Sequence, residues 1–450
     1  MDKPVVRISV RNLVEFILRS GDLDNRRGSA DKEAMLKGSR LHRKIQSQMG
    51  SHYRAEVSLK YTTEYDDVSI AVEGRADGIF TEDEQYFIDE IKGVYADVSQ
   101  LEKPVEVHRA QAMCYACIYA REQQLEKIGV QMTYGNLDTE ELKYFREEFT
   151  LEELKDWYQE LLDRYHKWIS YQLAWKKERN ESMEGLEFPF EYREGQRKIV
   201  SSVYHTISAE RQIFIQAPTG VGKTMSTIFP AVRAVGAGLG ENIFYLTAKT
   251  ITRTVAEEAF LILKEHGLKF KVITITAKEK LCFCDKTECN PENCLWARGH
   301  LDRINDAVYE LWTTQDCYGR ERILEYAKKW QVCPFELCLD LAIWVDAVIC
   351  DYNYVFDPNV YLKRFFGEGT SGGYIFLIDE AHNLVDRGRE MYSAFVDRAD
   401  VLEAKKLAAD YSKGLVRALG KVNRQLLALE KDCGDYEILQ NPGPVSLSML

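Results

Sequence analysis

Two short segments of this 450-residue chain place phosphate-binding and acidic groups in a telling order, APTGVGKT at 217–224 and DEAH at 379–382. The apolar run QIFIQA (212–217) predicts a strand that enters the first segment, and a helix is expected to begin near Lys223. The loop comprises Ala217, Pro218, Thr219, Gly220, Val221, Gly222, Lys223 and Thr224, with Ala217 where the G-x-x-x-x-G-K-[ST] pattern has its first glycine. Gly220 and Gly222 let backbone N–H groups and a helix N-terminus close around phosphate oxygens. Lys223 is expected at the β- and γ-phosphates of ATP and Thr224 at its Mg²⁺. Downstream, YIFLI (374–378) predicts a buried central strand ending in Asp379, a second Mg²⁺ contact, and Glu380, which would position or deprotonate the attacking water.

A second acidic centre lies near the N-terminus. GRADGIF (74–80) carries Asp77, and YFIDEIKG (86–93) carries Glu90 and Lys92 on a following strand. Residues two apart leave the same face of a strand, so Glu90 and Lys92 point together and Asp77 on the neighbouring strand can join them. Two carboxylates of this kind bind Mg²⁺ or Mn²⁺, and the lysine orients a water or neutralises a developing anion.

The eleven cysteines are unevenly spread: Cys282, Cys284, Cys289 and Cys294 crowd together, with Cys333 and Cys338 beyond. The opening MDKPVVRISVRN is charged and has no apolar export segment, which predicts a cytoplasmic chain whose clustered thiols serve a metal rather than disulfides. Thiolate chemistry allows zinc or an iron–sulfur cluster, and spacing does not choose between them. Cys350 reads as a core residue, and Cys114, Cys117, Cys317 and Cys433 as non-ligands.

With these residues in view, the AxxGxGKT and DEAH pair resembles the superfamily 2 helicases. The resemblance implies that Gln196 reads adenine, that His382 belongs to the nucleotide site, and that YLTAKTITRTVAEEA (245–259) touches single-stranded DNA. The cysteine cluster between the two motifs resembles the XPD/DinG branch, which places a 4Fe–4S domain there. KEKLCFC is similar to that branch's first cysteine segment and CPFELCLDLAIWVDAVICDYNYVFDP (333–358) to the segment that starts at its fourth. The implied ligands are Cys282, Cys289, Cys294 and Cys333, with Cys284 and Cys338 as rivals. The N-terminal pattern resembles the RecB-like branch of the PD-(D/E)XK nucleases. That resemblance adds His42 as an upstream metal ligand and Gln111 and Tyr115 as its Q-x-x-x-Y motif.

The expected class is α/β. A nuclease-like domain (1–135) is followed by a helical connector and linker (136–190). A RecA-like motor lobe (191–281 and 341–398) is interrupted by the four-cysteine insert (282–340), and a helical arch begins at 399–450. Apolar positions at helical spacing predict one long helix over 151–178, and NESMEGLEFPF (180–190) is the expected linker. A net charge of −12 argues against non-specific wrapping of DNA and leaves room for a local groove. Residues 1–50 hold eleven Lys/Arg against six Asp/Glu, which suits either DNA or a solvated face. No second motor lobe is found, so a longer chain or a partner is expected to supply it. The expected activity is ATP-dependent 5′→3′ DNA unwinding joined to metal-dependent DNA cutting in repair or recombination. The alternatives are a nuclease with a regulatory ATPase lobe and a non-catalytic DNA-binding subunit.

Overall fold

The computed structural model describes residues 3–26, 32–218, 220–248, 250–367, 372–434 and 436. Thr219, in the phosphate loop, lies outside them. The chain opens with β1 (Val5–Ser9), α1 (Val10–Ile17), α2 (Lys32–Gln48), β2 (Tyr53–Glu64), β3 (Ser69–Glu82) and β4 (Gln85–Val94). It continues with α3 (Glu106–Gln123), β5 (Lys127–Asn136) and β6 (Leu142–Thr150). The strands form one mixed sheet in the order β1-β3-β4-β5-β6, with β2 also paired to β3. Strands β4 and β5 are parallel, and α3 makes the crossover between them. Helix α3 is buried along Ala110–Ala120, which explains why its sequence is apolar on nearly every side. The sheet runs on to Thr150 because β6 pairs with β5 along its whole length, so this module extends beyond the expected boundary at 135.

Thr150 then caps α4 (Leu151–Glu184), and Glu153 completes a capping box with it. This single helix continues into the first part of the expected linker, as far as Glu184. Its last turns are docked: Met183 is buried, and Arg233 donates to the Glu184 carbonyl at 2.8 Å. A buried face holds a helix that an isolated NES-rich stretch would not favour.

The motor portion contains α5 (Gln196–Ser208), α6 (Lys223–Gly236), β7 (Asn242–Leu246), α7 (Thr250–Glu265) and β8 (Val272–Thr274). The cysteine-rich stretch follows with α8 (Lys278–Leu281), α9 (His300–Thr314), β9 (Cys317–Tyr318), α10 (Arg320–Trp330) and α11 (Pro334–Ala342). Then come β10 (Ala347–Cys350), α12 (Asn353–Phe356), α13 (Lys363–Phe366) and β11 (Tyr374–Ile378). All five strands are parallel, in the order β11-β7-β10-β8-β9, so the expected insert itself supplies the edge strand β9.

Two expectations fail here. Residues 211–218 form no strand and lie largely exposed, with Phe214 90% exposed. An apolar run becomes a strand only where a neighbour completes its ladder. Strand β11 pairs with β7 alone among the described residues, which makes it an edge rather than a central strand and leaves Phe376 41% exposed.

By contact density the chain forms two units. The larger, 1–352 with 362–380, joins the N-terminal module, the cysteine-rich stretch and the motor sheet in one body, where three domains were expected. The other, 353–361 with 381–450, is helical: α12, α14 (Leu384–Met391), α15 (Arg398–Leu407) and α16 (Lys413–Asp432). Among the described residues no helix is long and apolar enough to cross a membrane.

Candidate active sites and cysteine pocket

Strands β3 and β4 pair antiparallel with Gly78 opposite Asp89, which puts Asp77 beside Glu90. The Ile91 N–H donates to Asp77 Oδ2 at 2.7 Å, fixing that carboxylate between Glu90 and Lys92. Lys92 Nζ lies 2.7 Å from Glu90 Oε1. From α2, His42 Nδ1 stands 3.6 Å from Asp77 Oδ1, and Gln46 Nε2 donates to the Asp77 carbonyl at 2.9 Å. The four residues singled out by sequence are therefore brought together. Asp89 belongs to the opposite face, where the Tyr53 hydroxyl donates to it at 3.0 Å.

Burial pushes the Glu90 carboxyl up to about 7; Lys92 opposes that rise and the Asp77 charge adds to it. Burial pulls the His42 imidazole down, but its hydrogen bond and charge contact with Asp77 outweigh this and leave it raised. From α3, Tyr115 lies over Gly74, where an added Cβ would stand 2.7 Å from its hydroxyl. Gln111 is buried and its Oε1 has no partner. Two carboxylates and an imidazole suit a divalent cation. Among the described residues, however, no three His, Cys, Asp or Glu side chains converge closely enough to hold a metal as they stand.

The basic excess of residues 1–50 is partly taken up internally. Lys37 pairs with Asp138, Lys44 with Glu140, Arg26 with Asp24 and Glu292, and Arg19 with Asp340.

In the motor portion, Gly222 (φ +81°) is the N-cap of α6 and Gly220 also has positive φ (+88°), a conformation glycine adopts without strain. Gln196 is buried against the loop: a Cβ on Gly222 would lie 2.7 Å from its Nε2, and its Oε1 accepts the Arg193 N–H at 3.0 Å. Arg193, which the motif reading passed over, donates to the Gly220 carbonyl. Lys223 Nζ donates to the Ala217 carbonyl at 3.2 Å and lies 4.0 Å from Glu380 Oε1. Pro218 and Val221 complete the described part of the loop.

The Asp379 N–H donates to the Leu246 carbonyl at 2.9 Å, holding the end of β11 against β7. Burial and then the neighbouring Glu380 raise the Asp379 carboxyl, and Lys223 opposes this. Tyr245 on β7, read from sequence as the start of the DNA-contacting segment 245–259, is buried beside both Thr224 and Asp379. Glu380 has a left-handed backbone (φ +49°), an uncommon conformation for a non-glycine residue and frequent at functional turns. His382 lies on the short turn Ala381–Asn383 of the helical unit.

Cys282, Cys289, Cys294 and Cys333 line one small apolar cavity together with Leu23, Phe283, Trp296 and Phe335. Lys278 also lines it and interacts with Cys289, supplying a cation that favours thiolates. Cys284 Sγ approaches Cys294 Sγ at 3.8 Å. Cys338 turns away, its thiol donating to the Thr274 carbonyl at 3.9 Å, so it is not part of this cavity. Cys350 is buried on β10. Four sulfurs on one apolar cavity suit a thiolate-bound metal, although they are not gathered to ligand distance.

Residues 247–401 match the DEAD_2 family model. The chain is 29% identical over 116 residues to the Fanconi anemia group J protein homolog of Gallus gallus, covering 26% of this chain and 9% of that protein. It is 23% identical over 235 residues to a probable ATP-dependent helicase of Methanocaldococcus jannaschii, covering 51% and 34% respectively. It is 21% identical over 273 residues to the regulator of telomere elongation helicase 1 homolog of Anopheles gambiae, covering 48% and 27%. The chain thus spans between 9% and 34% of these relatives' own lengths. A solved XPD helicase shares 18% identity over 52% of this chain and 40% of its own, with a TM-score of 0.36. A truncated XPD gives 17%, 51%, 65% and 0.35. The sequence matches relate the motor portion of this chain to the helicases.

Proposed function

We propose that this chain carries part of an XPD/DinG-type, ATP-dependent DNA helicase joined to a RecB-like, metal-dependent nuclease module. The observation that carries the reading is one compact unit holding two acidic centres, Asp77–Glu90 beside Lys92 and Asp379–Glu380 beside Lys223.

In the motor, the loop amides and Lys223 bind the phosphates, Gln196 faces the loop to read the base, and Thr224 and Asp379 hold Mg²⁺, which neutralises phosphate charge. Glu380 orients water. In the nuclease module, His42, Asp77 and Glu90 would hold Mg²⁺ or Mn²⁺, which would supply water activation and charge stabilisation at a phosphodiester. Lys92 steadies that water or the developing anion. The four cysteines hold a 4Fe–4S cluster that shapes the DNA path, and movement on single-stranded DNA is 5′→3′, as the resemblance implies. The role is in repair or recombination.

The experiment is a paired substitution in the full-length protein. Asp77→Ala should abolish metal-dependent cutting and leave ATP hydrolysis intact. Lys223→Ala should abolish ATP-dependent unwinding. Unchanged cutting in Asp77→Ala overturns the nuclease half. Wild-type protein that cuts without any ATP-dependent unwinding overturns the helicase half and leaves a nuclease with a regulatory ATPase lobe.

A further inference from the structure

The segment between α1 and α2 does not stay within the N-terminal module. From Arg19 to Arg26 it lies along the cysteine-rich stretch and bonds to it almost residue by residue. Arg19 donates to Asn305 Oδ1 at 2.7 Å and to Asp340 Oδ2 at 2.8 Å. The Gly21 N–H donates to Asp302 Oδ1 at 2.8 Å, and the Gly21 carbonyl accepts from Leu301 at 2.9 Å. Asp22 Oδ1 accepts the Gly299 N–H at 2.6 Å. The Leu23 N–H donates to the Ala297 carbonyl at 2.9 Å, and the Asn25 N–H to the Cys289 carbonyl at 2.8 Å. Arg26 closes the series on Glu292.

Two of these contacts reach the cysteine cavity itself. The Leu23 side chain is one of its walls, and Asn25 holds the backbone of Cys289, one of the four thiols that line it. Asp340, held by Arg19, lies on α11, the helix that begins directly after Cys333. The strap therefore braces the cavity near two of its cysteines.

We infer that residues Arg19–Arg26 are positioning residues for a thiolate-bound metal in this pocket, so that metal binding and the docking of the N-terminal module stabilise one another. The inference rests on the metal reading of the four cysteines. Its physical basis is twofold. A group that binds the folded pocket tightens every contact the folded pocket requires, and the coupling is reciprocal. An apolar wall also keeps water and oxidant from thiolate ligands, and partners outside the ligand shell change metal affinity by about 10- to 100-fold.

The test uses full-length protein purified without oxygen, with metal and sulfide content measured beside the visible absorbance. Leu23→Ser opens the wall, and Asp22→Ala removes a strap contact made by an exposed side chain. Both variants should lose metal to air or chelator about tenfold faster than wild type while the motor sheet stays folded. Independently, removing metal from the wild type should speed hydrogen exchange at the Leu23 and Asn25 amides by about tenfold. A wild type that binds neither iron nor zinc overturns the metal reading and this inference with it. A metal-loaded wild type whose strap amides exchange equally with and without metal, and whose Leu23→Ser variant holds metal as long, overturns this inference alone.

Discussion

A buried carboxylate helps fasten the helix that leaves the N-terminal sheet to the motor sheet, and Asp346→Ala should loosen it. Asp346 is 4% exposed and accepts three hydrogen bonds: Arg179 Nη1 at 2.7 Å, the Trp175 indole at 2.9 Å and the Lys271 N–H at 2.8 Å. Arg179 is itself buried, so truncating its partner leaves a charge in a poorly solvated place, which costs about 3–5 kcal/mol. The two orphaned neutral donors add about 1 kcal/mol each. A polar cavity of about 160 Å³ lined by Gln172, Lys176, Glu241 and Asn242 adjoins the site and can admit water, which lowers the expected loss to about 4 kcal/mol. Replacing both partners, Asp346→Ala with Arg179→Met, removes the stranded charge and should recover about 2 kcal/mol. Urea unfolding followed by tryptophan fluorescence reads this directly, because Trp168, Trp175, Trp312 and Trp344 cluster at the junction. A loss below about 1 kcal/mol in Asp346→Ala, or strict additivity in the double variant, would refute the brace.

Other expectations follow from the same coordinates. Burial, with Lys92 and Arg11 assisting, holds His108 at about 4 against an ordinary 6.5. The unfolded chain therefore takes that proton first, and stability falls as pH drops from 6.5 to 4, by at most about 3 kcal/mol. In urea titrations across that window, His108→Gln should flatten the dependence. Gly78→Ala should destabilise the N-terminal sheet by about 1–3 kcal/mol, since the new Cβ overlaps the Tyr53 ring that is bonded to buried Asp89. A melting curve that does not move would show that the sheet relaxes there. Tyr245→Phe should weaken Mg²⁺-nucleotide binding by about tenfold while Lys223 still engages phosphate, read by calorimetry with and without Mg²⁺. Equal affinity in the variant and the wild type would remove Tyr245 from the site.

Much of the geometry of the N-terminal acidic centre was legible because strand periodicity is local. Glu90 and Lys92 share a face through their spacing alone, and antiparallel pairing needs only a short turn to bring Asp77 alongside. What pairing at a distance decides was not legible. Tyr245 reaches Asp379 because β11 aligns with β7, placing Leu377 opposite Tyr245, and nothing in YLTAK announces that register. QIFIQA reads as a buried strand by composition, yet composition does not name the neighbour whose ladder would hold it. Likewise NESMEG looked like a linker, while Met183 and the Glu184 carbonyl are held by the motor portion. The bond from Arg19 to Asp340 spans 321 positions, beyond any pattern of spacing.

The account turns on two divalent-ion centres in one body, and counting Mn²⁺ by electron paramagnetic resonance tests it most directly. One Mn²⁺ should bind without nucleotide and vanish in Glu90→Gln. A second should appear only with ADP or ATP and vanish in Asp379→Asn. Nucleotide-free protein that binds no Mn²⁺, or binding untouched by either substitution, would contradict it.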